Sequence, residues 1–509
     1  MTEEINKEVV ETVEESQQQA VEESKKTGRC GSSCFRFEDL DMAKGYNLLG
    51  IGRGGVVMSN IFLSTSLIYL ASQQAGCLIL DENDNTIVDK DCETKVYGML
   101  PISLISNIAV ISGLLSAFCM PIVGAIVDFT PHRTLLGVTF ATLIGVIQAV
   151  QIGTVSSTWF AMALLQALAG FFYQAHIMSV YSFLPTIARK VSEQIMVAFT
   201  ATWTMTQFSG QASFLLVIIV LSIVLKTNDV VTAQMSQGVN VAWILVFFTL
   251  GWRLFPWKIP ANRVLPEGHS LVTEGFRQNW RTIQNLYRGS KALRYYFLTV
   301  VFAEAGTNTF TTVAPSYLVE NLGMNGTQVG IFFFITLIGS LPGSQLGLFV
   351  TRRTNPNTSW ILCMISLATV ANLGAFILDA IQKQWASYIW GACMGLMLGW
   401  FYPTENCFFS MIVPASQESE LSGFFVYSTQ IIGWLPPLCF SLMVEHGLNQ
   451  KWGVLVISGF LLVAIGVCML QAPWPELVKE KDCDALIKGE AVKGELDDDN
   501  KEEDDEENC

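Results

Sequence analysis

Few side chains in this sequence are equipped for chemistry inside an apolar body, and those few recur at fixed intervals. Glu304 is the one charged residue in the stretch 295 to 319, and it opens a polar run with Thr307, Asn308, Thr309, Thr311 and Thr312. A carboxyl in such a setting costs roughly 2.5–3.5 kcal/mol on insertion scales, so it faces either a cavity or a partner. It can take up and release a proton, and His176, with an ordinary imidazole pKa of about 6.5, could share that proton. Asn60 precedes Glu304 by 244 positions and His176 precedes Glu405 by 229. One polar residue at a matched place in each of four segments is what a central solute site in a repeated transporter requires. Asn308, one helical turn beyond Glu304, extends that polar face. Structural alternatives stay open: a hydrogen bond to a neighbouring helix for Glu304, and headgroup contact for His176 and Glu405. There is no Gly-rich phosphate loop, His-Glu-x-x-His or Cys-x-x-Cys pair, so neither an enzyme, a nucleotide-driven pump, a metal nor a cofactor is expected.

The elements that must hold these groups follow from composition. Apolar residues make up 51% of the 509 and charged residues only 15%, against about 25% charged in soluble domains. The net charge of −14 belongs to the tails: residues 1–27 and 495–509 hold 18 of the 44 acids and 4 of the 30 bases. The body is electroneutral, which excludes a basic nucleic-acid binder; lipid bilayer and a small-molecule solute are the expected partners. A membrane-spanning helix needs about 20 apolar residues. Uncharged runs occupy 54–80, 96–127, 134–188, 194–225, 230–252, 321–351, 354–378, 384–404, 421–444 and 452–475. The run 134–188 divides near Gly153, and 295–319 adds one more span. The expectation is therefore an all-α integral membrane protein, with twelve transmembrane helices in two pseudo-symmetric six-helix halves.

With the N-terminus inside, 25 of the 30 Lys and Arg fall on the inner side, as the positive-inside rule demands. That gives a cytoplasmic tail 1–44, a first half 45–256, a basic cytoplasmic loop 257–293, a second half 294–475 and a cytoplasmic acidic tail 476–509. No cleavable signal peptide is expected ahead of the first span. The sequon at Asn325 and the cysteines Cys77 and Cys92 lie outside; bonded cysteines and two free thiols are both open. Cys30 and Cys34 read as ordinary cytosolic thiols, with palmitoylation as the alternative. Gln207 and Gln430 suit interhelical hydrogen bonding, and the 13 Trp and 32 Phe suit lipid-facing and interfacial positions.

Sequence symmetry supports two halves. Gly170-Phe-Phe-Tyr173, followed by Pro185, matches Gly399-Trp-Phe-Tyr402, followed by Pro414, and Thr206-Gln207 to Gly210 matches Thr429-Gln430 to Gly433. Pro121, Gly124, Asp128 and Arg133 correspond to Pro342, Gly347, Thr351, Arg352 and Arg353. This last pattern resembles the inner-loop signature of the major facilitator superfamily. The resemblance implies close helix approach at Gly124 and a cytoplasmic gating network of Asp128, Arg133, Arg352 and Arg353. It also implies a central cavity lined by the first, fourth, seventh and tenth helices. The stretch Gly399 to Pro414, then Gly423-Phe-Phe-Val-Tyr427 and Gly433 to Pro437, resembles the autophagy-related vacuolar amino-acid effluxer branch. What that implies is a secondary active transporter working by alternating access, moving amino acids from a vacuolar or lysosome-like lumen to the cytosol, with proton coupling as an option. Alternatives are a plasma-membrane location, a carrier of sugars or drugs, and a non-transporting receptor or scaffold that keeps the fold.

Overall fold

The structure is a computed structural model that describes residues 37–80, 86–89, 92–184, 193–257, 261, 265, 268–288, 290–413, 418–474 and 476–477. Cys30, Cys34, Pro185, Pro414 and both acidic tails lie outside the described residues. Helix α1 (Phe37–Ala75) leads through a hairpin of β1 (Leu78–Leu80) and β2 (Thr86–Val88) and a 3-10 turn (Pro101–Ser103) to α2 (Leu104–Phe129). Next come α3 (Arg133–Gln151), α4 (Trp159–Tyr181), α5 (Glu193–Leu225) and α6 (Asp229–Arg253). A connecting helix α7 (Leu271–Arg288) precedes α8 (Lys291–Leu322), α9 (Gly326–Arg353), α10 (Pro356–Ile381), α11 (Gln384–Ile412), α12 (Glu418–Gln430), α13 (Leu435–Glu445) and α14 (Gln450–Met469).

Local chemistry sets the helix ends. Asn228, Ser290 and Asn355 each cap a helix by accepting a backbone N–H with the side chain, and Asn325 forms a reciprocal capping box with Gln328. Such caps satisfy donors that the helix itself cannot. Gly323 ends α8 at φ +59°, a left-handed turn that suits glycine.

Among the described residues nine helical stretches are long and apolar enough to cross a membrane: 41–75, 101–129, 133–151, 159–181, 202–225, 229–253, 326–353, 356–381 and 450–469. The other spans expected from the sequence fall on α8, α11 and the pair α12–α13. Helices α8 and α11 carry Glu304, Asn308 and Glu405, which lower their hydropathy, while α12 and α13 have only 13 and 11 residues and are separated by a turn at 431–434. Val224, Leu245 and Leu462 are each at least 63% exposed on the helix surfaces, as side chains solvated by lipid are.

Glycines set the helix spacing. Gly339, Gly343 and Gly347 on α9 face Gly391, Gly395 and Gly399 on α11, and a Cβ at Gly395 or Gly399 would run into the carbonyl of Thr336 or Ser340. Small residues every fourth position let helices approach closely where lipid supplies no hydrophobic drive. The same device explains a departure from the sequence reading of tryptophan. Trp159, Trp203, Trp252, Trp360, Trp390 and Trp400 are buried, and Gly137, Gly347 and Gly374 leave room for the rings of Trp252, Trp400 and Trp390.

Cys77 and Cys92 are bonded and close the segment that holds β1 and β2, which settles the open pairing. A second correction concerns Arg53. The uncharged run begins at residue 54, so the sequence reading counts Arg53 with the inner-side bases. The structure carries α1 through it and leaves it only 3% exposed.

Candidate functional site

A cavity of about 570 Å³ lies between α1, α2, α4 and α5 on one side and α8, α9 and α11–α13 on the other. That is within the roughly 300–1,000 Å³ of small-molecule sites. Its floor is polar because these helices turn their few polar residues inward.

Arg53 and Asn60 are seven residues apart on α1, two helical turns, so they share a face, and both line the cavity. The Arg53 guanidinium donates to the Tyr173 hydroxyl at 3.3 Å and lies over the rings of Tyr173 and Trp203, at 5.2 and 5.6 Å from their centroids. Its Nε and Nη1 have no hydrogen-bond partner among the described residues. A buried cation with free donors, held by aromatic faces rather than a carboxylate, is available to an anionic ligand group.

The opposite wall is acidic. Glu304 on α8 and Glu405 on α11 both line the cavity, with their carboxyl groups close enough to interact electrostatically. Two buried carboxyls side by side resist ionising together, which suits the pair to holding a single proton. Asn308 donates to Glu304 Oε2 at 2.8 Å, and the Tyr402 hydroxyl donates to Asn308 Oδ1 at 3.5 Å. Glu405 Oε1 has no partner among the described residues. Tyr173 and Tyr402, the matched tyrosines of the two repeats, thus stand on opposite walls beside the cation and the carboxyl pair.

Of the expected solute residues, Asn60, Glu304, Asn308 and Glu405 come together here. His176 does not. It is fully buried behind the cavity wall, where its Nε2 accepts from Trp252 Nε1 at 3.3 Å and its ring packs on Phe248 at 4.8 Å. The reason is rotational: Gly170, Tyr173, Gln174, Ile177 and Tyr181 form the cavity-facing side of α4, and His176 lies about 100° from Ile177, on the side that packs against α6. Gln207 and Gln430, read as interhelical bonds, line the cavity instead.

The expected gating residues lie apart. Gly124 admits Met178 from α4 at a distance that a Cβ would close to 2.8 Å. Asp128 accepts from Gln278 Nε2 at 2.9 Å, a partner on α7 that the sequence did not suggest. Arg133, 1% exposed, donates to the carbonyls of Val127 (2.9 Å) and Ser182 (3.4 Å). Arg352 and Arg353 are exposed at the end of α9, Arg353 over the Phe349 ring at 4.1 Å.

At the other end, α1–α6 and α8–α14 are clasped together. Glu445 at the end of α13 binds Lys95 Nζ at 2.7 Å and accepts from Leu100 N and Ser103 Oγ, both at 2.6 Å. Asn107 accepts from Ser441 at 2.8 Å, and Asp229 accepts from Gly326 N at 2.8 Å. Charged groups in loops gave no sequence signal for this pairing, because it depends on two loops 345 residues apart meeting.

No curated protein matches the chain. In fold it is similar to the major facilitator superfamily proton:xylose symporter XylE bound to 6-bromo-6-deoxy-D-glucose, with a TM-score of 0.57 at 12% identity over 86% of this chain and 96% of that one. A mutant of the nucleoside transporter NupG gives 0.56 at 12% identity over 84% and 99%. A bacterial homologue of the iron transporter ferroportin, outward-facing with soaked iron, gives 0.52 at 14% over 86% and 99%. The family model described as vacuole effluxer Atg22 like matches residues 41–202 and 200–472. With a transporter fold, a central polar cavity and a family match along nearly the whole described body, the chain belongs to the Atg22-like vacuole effluxer branch of the major facilitator superfamily.

Proposed function

We propose that the protein is a secondary active transporter of amino acids, carrying them from an acidic vacuolar or lysosome-like lumen to the cytosol by alternating access. The observation that carries this reading is the cavity with a free guanidinium on one wall and a carboxyl pair on the other. A zwitterion satisfies both: its carboxylate meets Arg53 and its ammonium meets Glu304 and Glu405. The family description supports the vacuolar direction. The carboxyl pair is the coupling site, holding a proton while the cavity is empty and giving it up as the ammonium arrives or the cavity opens to the cytosol. In this reading α8, α11 and the broken pair α12–α13 join the nine apolar stretches to make twelve crossings, with both tails and residues 257–293 in the cytosol. The Glu445 clasp closes the lumenal end. Asp128 and Arg133, with Arg352 and Arg353, act at the cytosolic end as gating groups.

Purified protein in liposomes tests the substrate class through exchange of labelled solute. Amino acids should exchange, and analogues lacking either the carboxylate or the amine should compete far more weakly. Arg53→Gln should weaken apparent amino-acid affinity about 10–100-fold, in line with loss of a charge-assisted bond of roughly 1.5–3 kcal/mol. Equal exchange of amino acids and their single-charge analogues would remove the zwitterion reading. Exchange of sugars alone would move the protein to another solute class, and no exchange of any solute would favour a receptor or scaffold.

A further inference from the structure

Helix α7 has three distinct faces, and only one packs against the helical body. Gly275, Gln278, Thr282 and Leu286 recur at three- and four-residue intervals; the first three dock on α2 and Leu286 is buried on the same face. Gly275 sits against the Pro121 carbonyl with no room for a Cβ, and Gln278 holds Asp128. Val272, Phe276, Trp280, Ile283 and Tyr287 form a second stripe at the same spacing. All five are at least 36% exposed, and Tyr287 reaches 71%. Arg277, Arg281 and Arg288 flank that stripe on a third, exposed face. An apolar stripe beside a basic edge on a helix of low net hydrophobicity is the pattern of a helix lying in the membrane interface.

The surroundings identify the occupant of this stripe. Helix α7 lies between α6, which ends at Arg253, and α8, which starts at Lys291. Arg294 on α8 donates to the Tyr287 carbonyl at 2.9 Å, and its guanidinium lies 5.2 Å from the Tyr287 ring centroid. The helix is therefore fixed where a membrane-crossing helix leaves the hydrocarbon. The basic edge complements anionic headgroups, each base near such a surface contributing about 1 kcal/mol.

We infer that α7 lies in the bilayer surface, with its apolar stripe at the headgroup–acyl boundary and Arg277 and Arg288 on anionic phospholipid headgroups. Arg281 serves the same edge while holding the buried Glu274 at 3.2 Å. Through Gln278 and Asp128, lipid contact fixes the turn between α2 and α3. The inference goes beyond the transport reading and needs only the membrane placement of α6 and α8.

The test uses the full chain with a benzophenone amino acid in place of Ile283 or, on the opposite side, of Asn285. The protein is reconstituted in phosphatidylcholine, alone or with phosphatidylserine, and irradiated, and adducts are read by mass. Position 283 should give several-fold more phospholipid adduct than position 285, with phosphatidylserine enriched above its share of the bilayer. Arg277→Gln with Arg288→Gln should abolish that enrichment and leave the adducts themselves. Equal lipid adducts at 283 and 285, or adducts at 283 to a protein segment such as the chain's own tail, would overturn the inference. Phosphatidylserine captured only in proportion to its share would overturn its ionic part. No readout depends on transport, so failure here is distinct from failure of the transport reading.

Discussion

Glu304 and Glu405 lie side by side on one wall of the cavity with Asn308 behind one and the other's Oε1 open, so a single proton can belong to the pair. Replacing Glu304 by Gln removes that proton site yet keeps an acceptor for Asn308 at nearly the same place. Glu304→Gln should therefore fold and exchange amino acids down their own gradient, but lose accumulation driven by a pH gradient. Uptake against a concentration gradient in the Gln variant, measured with an imposed proton gradient, would return Glu304 to a structural role. Arg53 is the complementary lesson at this scale. A search for charges inside uncharged runs finds Glu304 and passes over Arg53, because Arg53 sits at the edge of its run while the helix begins at 37. Its seven-residue spacing from Asn60 was the available signal.

At the level of helices, the fold depends on close approach at α9 and α11. The Cβ of Gly395→Val would collide with the Thr336 carbonyl, whereas Gly459 on α14 has nothing within 4 Å. Overpacking typically costs about 1–3 kcal/mol, so Gly395→Val should lower the melting temperature of the purified protein by several degrees. Gly459→Val should leave it unchanged, and equal Tm values for the two would contradict this packing. Helix α7 supplies a pH prediction outside the membrane. His269 Nδ1 holds the Glu274 carboxyl at 2.8 Å and Arg281 lies beside it, which keeps its pKa below the ordinary 4.5. A lowered carboxyl pKa contributes stability that is complete above the ordinary value and lost as pH falls through the lowered one. Hydrogen-exchange protection across 271–288, corrected for the intrinsic pH dependence of amide exchange, should therefore stay constant down to about pH 5 and fall only at more acidic pH. A loss of protection already between pH 7 and 6 would contradict the assignment of this docking to the Glu274 carboxylate.

For the whole molecule, the charge distribution makes a hard topological claim. Asn325 is exposed at the start of α9, near the Glu445 clasp end, whereas α7 is at the other. A cysteine at Asn325 should react with impermeant reagents only from the lumenal side, and one in 257–293 only from the cytosol. Labelling of position 325 from the cytosol would invalidate the proposed orientation. Buried Arg53 takes one base out of the inner-side count, too few to reverse a split of 25 against 5.

Length of apolar runs, loop charge and internal repetition were legible in the sequence because each depends on neighbours along the chain. So was Glu304, since a carboxyl in an apolar run must find a cavity or a partner, while Glu405 was singled out by its 229-residue spacing from His176. Which polar groups share that cavity was decided only by tertiary structure. His176 faces α6 instead of the solute path, Gln207 and Gln430 turn inward, and Cys77 finds Cys92. Arg53 meets Tyr173 from 120 residues away. These outcomes depend on helix rotation and crossing, which small residues such as Gly391, Gly395 and Gly399 set through contacts with other helices. Sequence order fixes the periodicity of a face, but only packing chooses the face it meets.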